Sequence, residues 1–122
     1  MFKIIILSFI IILSFFSLQA ADVSGTIDGD TWTKANSPYN VVGNITVLDL
    51  TIEAGVEVLF NGNFAFTIEG ILIAKGTSVD SIYFKPGSGN FNGLIFNSSS
   101  NNLILGYCSI SGSTSDGIRI IL

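Results

Sequence analysis

The chain has 122 residues, 48% hydrophobic and 11% charged, with nine acidic side chains, five basic ones, one cysteine and no histidine. That balance excludes an internal disulfide and any histidine-based catalytic or metal centre. Its net negative charge argues against a nucleic-acid surface.

Met1-Phe2-Lys3 leads into an apolar stretch from Ile4 to Ile12 and on to Leu18, followed by the small residues Ala20 and Ala21. One positive charge, an apolar core and a small-residue cut site make residues 1–20 a signal peptide, cleaved after Ala20. The competing reading is a membrane anchor, against which stand Ser8, Ser14 and Ser17 and the lack of a positive stop. Cleavage leaves Lys34, Lys75, Lys85 and Arg119 against nine acids, a net charge of −5. The expected destination is secreted, extracellular or at the cell surface, with no stable membrane insertion after cleavage.

Residues 21–40 read as an N-terminal cap: a polar, Gly- and Asp-bearing run from Asp22 to Asp30, then Trp32 and the turn Asn36-Ser37-Pro38. Trp32 and Tyr39 are the expected plugs over the core of whatever follows.

From Val41 to Leu122 short alternating runs are separated by Gly, Asn and Ser, and each run reads as a strand. Leu50-Thr51-Ile52-Glu53-Ala54-Gly55-Val56-Glu57-Val58 is echoed about 16 residues on by Phe66-Thr67-Ile68-Glu69-Gly70-Ile71-Leu72-Ile73. A near-repeat of that length fits one rung of a coiled sheet. The predicted fold is all-β, a right-handed parallel β-helix (a solenoid) of four to five rungs over residues 41–122. One ladder would stack Leu50–Ile52, Phe66–Ile68, Ile82–Phe84 and Leu103–Leu105. The other would stack Val56–Val58, Ile71–Ile73, Leu94–Phe96 and Ile118–Ile120, with rung spacing growing toward the C-terminus. Alternation then points Leu50, Ile52, Val56, Val58, Phe60, Phe66, Ile68, Ile71, Ile73, Ile82, Phe84, Leu94 and Phe96 inward. Leu103, Leu105, Cys108, Ile110, Ile118 and Ile120 should follow them. Thr51, Glu53, Thr67, Glu69 and Arg119 should point out. An antiparallel sandwich is the rival.

The succession Thr31-Trp32-Thr33, Ser37-Pro38-Tyr39, Val42-Gly43-Asn44-Ile45-Thr46-Val47 and then Leu50 to Val58 resembles the opening of exported bacterial right-handed β-helix proteins of the pectate-lyase-like superfamily. Gly70 to Thr77, Ile82-Tyr83-Phe84, Asn92 to Phe96 and Asp116 to Ile120 are similar to the rungs that follow in such proteins. The handedness rests on this likeness. The superfamily hosts lyases, hydrolases, adhesins and domains without known activity, so the resemblance speaks to fold more than to function. Compared with complete members, the apolar stop at Ile120-Ile121-Leu122 reads as truncation of a longer protein, or as a rung closed by a second copy.

Glu53 stacked over Glu69, with Glu57 and Asp80 near, would be a candidate calcium site, although two glutamates fall short of the six or more oxygens calcium takes. A glycosidase would need paired carboxylates and a lyase a basic residue beside a cation site. Here no acids are grouped within one rung, and Lys75, Lys85 and Arg119 each stand alone in the sequence. Cys108 reads as a small buried hydrophobe, the asparagines as corner residues bonding along the stack, and Phe64 and Phe91 as rings whose side is open. No catalytic, cofactor-binding or metal residue is assigned, and no cofactor is expected. The expected function is an exported scaffold or adhesion-type protein, non-catalytic in this stretch, with polysaccharide or cell-surface components as partners and self-association through the uncapped last rung. The alternative is the N-terminal part of a carbohydrate-active β-helix enzyme whose catalytic rungs lie elsewhere.

Overall fold

The computed structural model describes residues 20–97, 99 and 102–122, so the stretch expected to be a signal peptide, apart from Ala20, lies outside the described residues. The strands are β1 (Ala21–Trp32), β2 (Tyr39–Ile52), β3 (Glu57–Phe60), β4 (Phe64–Lys75), β5 (Ile82–Pro86), β6 (Phe91–Phe96), β7 (Asn102–Gly106), β8 (Cys108–Ile110) and β9 (Ile118–Ile120). A 3₁₀ turn, Lys34–Asn36, follows β1. Every strand pairing is parallel, which excludes the sandwich. The fold is an all-β parallel solenoid of about four turns.

Three ladders run along the stack. The first face takes the starts of β1 and β2, then β3, β5 and β8. The second takes the middles of β1 and β2, the start of β4, then β6 and β9. The third takes the ends of β1, β2 and β4, then β7. β1 and β2 pass through all three faces as continuous strands, bending at register shifts such as that between Val47 and Asp49. An extra residue of this kind bends a strand without ending its pairing.

On the first face Ala21, Tyr39, Val58, Phe84 and Ile110 are successive neighbours, steps of 18, 19, 26 and 26 residues. Turn length therefore grows along the chain, as expected, but the true repeat is longer than the 16-residue echo. Thr67 pairs with Thr46 and Thr51 pairs with Ile73, not Thr51 with Thr67. The echo superposes two different corners: Ile52-Glu53-Ala54-Gly55 leaves the third face, whereas Ile68-Glu69-Gly70 joins the second to the third. Any strand that runs into a Gly-bearing corner carries this signature, so likeness of sequence did not fix register.

The same slip reverses part of β4. Phe66, Ile68, Leu72 and Ala74 are fully buried, while Ile71 and Ile73, expected inside, lie half-buried on the outer surface. Gly70 does not restart the alternation. It sits at an even position of one uninterrupted strand, where a Cβ would collide with the Leu48 carbonyl, so the parity set by Phe66 runs through to Ala74. A one-residue error in a period-two pattern exchanges the two faces of a strand.

The core is apolar throughout, and no polar or charged residue among those described is buried. Phe66 is its hub, edge-on to Trp32, Phe60 and Phe84 with ring centroids 6.2, 5.9 and 6.1 Å away, while Phe60 stacks on Phe91 at 4.1 Å. Phe91 is thus inside, and Phe64 packs partly against the same cluster. Trp32 and Tyr39 are buried and stacked at 4.7 Å, and the Thr33 N–H donates to the Tyr39 hydroxyl at 2.8 Å. Residues 21–32, read from sequence as a cap, pair with β2 along all three faces. Leu103, Leu105, Ile118 and Ile120 continue the inward columns above Leu72, Ala74, Leu94 and Phe96, yet they are 36–67% exposed because they belong to the outermost described turn.

Candidate functional site

The corner between the third and first faces recurs in four successive turns, and its length varies. It spans residues 33–38 after β1, 53–56 after β2, 76–81 after β4, and Tyr107 alone between β7 and β8. A short corner set between two longer ones is recessed. The result is an open groove of about 470 Å³ over Gly55, walled by Lys34, Ser37 and Pro38 on one side and by Asp80, Ser81 and Tyr83 on the other.

Side chains bind the walls together. Lys34 Nζ reaches Asp80 Oδ2 at 2.9 Å, linking corners 46 residues apart. The lysine stem crosses Gly55, where a Cβ would stand 2.8 Å from Lys34 Cδ, and Gly55 itself has φ +81°. Glycine is needed there on both counts. The Glu57 N–H donates to Ser37 Oγ at 2.9 Å, joining the first two corners. The outer loop is braced internally, the Asp80 N–H donating to Thr77 Oγ1 and the Thr77 N–H to the Asp80 carbonyl, both at 3.0 Å.

Beside the groove Glu57, Tyr83 and Ser109 form an outward column on the first face. Lys85 Nζ lies 3.3 Å from Glu57 Oε1 and 5.5 Å from the centre of the Tyr83 ring. The rim therefore carries two ammonium and two carboxylate groups, each joined to its opposite, and no formal net charge. Exposed pairs of this kind contribute at most about 1 kcal/mol each. Their effect is to hold polar oxygens and nitrogens in fixed places at the surface.

Among the sequence candidates, Glu57, Asp80 and Lys85 come together here. Glu53 and Glu69 do not stack: they occupy different corners, with the Glu53 N–H bonded to the Trp32 carbonyl. Lys75 and Arg119 lie exposed on other parts of the stack, Lys75 level with Gly106 and Arg119 level with Ile95. Among the described residues no three His, Cys, Asp or Glu side chains gather as metal ligands would. Asn44 Oδ1 accepts from the Ala65 N–H at 3.0 Å and Asn61 Oδ1 from the Ser88 N–H at 2.9 Å, so both bond to the next turn along the stack. Cys108 is half-buried, its Sγ 3.4 Å from the Ala74 carbonyl oxygen, and burial pushes its thiol pKa up despite an opposing hydrogen bond at Gly106.

Sequence reasoning missed Lys34, Gly55, Tyr83 and Tyr107 as members of one corner. The recess depends on comparing corner lengths across turns, which requires the register. No family model, curated protein or solved structure matches the chain.

Proposed function

We propose that the chain is an exported scaffold of the adhesion type, which works at the cell surface or outside the cell by presenting the corner groove to an extracellular partner. The observation that carries this reading is the location of the groove's charged groups. Lys34, Glu57, Asp80 and Lys85 all lie on the outside of the solenoid in exposed ion pairs. A display surface can use carboxylates held in this way.

The leader supports export, and the sequence likeness to exported β-helix proteins of the pectate-lyase-like superfamily supports the same address. Intact-mass analysis of the protein from its native source, after separating cells from medium and envelope, tests the reading. A species beginning at Ala21, released into the medium or digestible by protease on whole cells, is the expected result. An intracellular species retaining Met1 refutes it.

A further inference from the structure

Eight of the twelve exposed large hydrophobic side chains among the described residues lie between Leu103 and Leu122, so apolar exposure is concentrated at one end of the stack. A contiguous patch of that kind marks an interaction surface. The strands that form it are regular. β7, β8 and β9 each pair with one neighbour, β4, β5 and β6, without a register shift, and among the described residues their outer edges are unpaired. Open edges beside apolar columns are a template for further strand pairing.

The opposite end is built to resist the same event. β1 carries three register shifts, and Gly25 and Gly29 take φ of +82° and +83°. Asp22, Asp28 and Asp30 are exposed along it, whereas Ile27 and Trp32 are buried. Two inward columns finish there on Gly25, level with Ile45, and on Asp30, level with Leu50. Bulges and edge charges are the devices that stop a sheet from growing. One end of the solenoid is thus closed to strand addition and the other is open to it.

We propose that the open end is an interface with a second copy of the chain, the two solenoids meeting end to end about a two-fold axis. Head-to-tail stacking would generate a filament, but it needs β1 as the receiving edge; two open ends facing each other make a closed pair. An axis crossing the third face exchanges the first and second faces, which sets β8 of each copy antiparallel to β9 of the other. Both strands are three residues long. Cys108 and Ile110 then face Ile120 and Ile118 of the second copy, inward side to inward side, and Ser109 faces Arg119. An axis through the second face would instead oppose Arg119 to itself. Faces about five residues long at about 3.3 Å each, with their side chains, give the end a section of roughly 500 Å². Two copies would bury about 1,000 Å² in all, the smallest area at which a specific interface forms, so the dimer should be reversible.

Sedimentation equilibrium of the protein from its native source, and of recombinant variants, tests the proposal. The expected result is a monomer–dimer equilibrium in the micromolar range with no larger species. Ser109→Arg should raise the dissociation constant tenfold or more by setting like charges against each other at two symmetric places. Adding Arg119→Glu to the same chain should restore the dimer, and Asp28→Lys on β1 should leave it unchanged. Amide exchange over residues 108–120 should slow as concentration rises, a readout that needs no variant. Open-ended filaments, a dimer that Ser109→Arg leaves intact, loss of the dimer without recovery on adding Arg119→Glu, or exchange independent of concentration each overturn the proposal. A native protein that stays monomeric overturns it as well and leaves the end to another segment or a different protein.

Discussion

Replacing Leu72 and Ile73 in turn by alanine decides between the observed register and the one suggested by the 16-residue echo. Leu72 is fully buried between Leu50 and Leu103 in an inward column, while its neighbour Ile73 lies outward between Thr51 and Ile104. Truncating a buried leucine to alanine costs about 2–5 kcal/mol, depending on how far the site can close around the lost methyls. Leu103 above is partly open to solvent and can settle, so Leu72→Ala belongs in the lower half of that range, about 2–3 kcal/mol. Ile73→Ala removes only partly buried surface and some strand preference, about 1 kcal/mol or less. In urea, with a slope of about 1–3 kcal/mol per molar for small domains, the first change should move the unfolding midpoint by about 0.7–3 M and the second, at the same slope, by no more than about half as much. An equal or larger shift for Ile73→Ala would refute the register of the third face and turn β4 over.

Three further outcomes follow from the same geometry. Phe66→Ala should be the most damaging single truncation, about 3–5 kcal/mol plus loss of edge contacts with three rings, and urea or thermal melts should show a larger drop in stability for it than for Leu72→Ala. Asp80→Asn should change global stability by less than about 1 kcal/mol while speeding proteolysis of the loop over residues 76–81, as it releases Lys34 from the far wall. Cys108 should react with iodoacetamide more slowly than a free thiol at neutral pH. Burial raises its folded pKa, so above about pH 9 the unfolded chain binds fewer protons than the folded one and stability should decline with further rise in pH. Cys108→Ser should flatten that decline.

The solenoid was legible because its cause is local: runs of alternating apolar residues, broken by Gly and Asn, have few ways to bury one face without hairpins. Leu50, Ile52, Val56, Val58, Phe60, Ile82, Phe84, Leu94 and Phe96 were placed correctly for this reason. Register was not legible, because it depends on how many residues each corner consumes. β2 takes one residue fewer than β4 between Val47 and Leu50, opposite Ile68 to Leu72, and no pattern in the sequence marks the difference. Two β-strand faces per turn were expected where there are three, since β1, β2 and β4 bend through corners that read as interruptions. The groove was hidden for the same reason. Lys34 and Asp80 are far apart in sequence and meet only because the corner between them, at Gly55, is short. Tyr107 gave no signal at all, as its ring lies in an apparently ordinary strand run and its backbone geometry is set by the single-residue turn.

The unequal corners have a consequence for how such a protein can change. Its third-to-first corner uses six, four, six and one residues in successive turns while the columns on either side stay aligned. Alignment is therefore enforced by strand pairing and inward packing, and the corners are free parameters. Segments can lengthen, shorten or be exchanged there without disturbing the stack, and each exchange reshapes the recess beside it. The molecule separates a conservative interior from an editable edge, so new recognition surfaces can arise from small insertions at one corner without any redesign of the core.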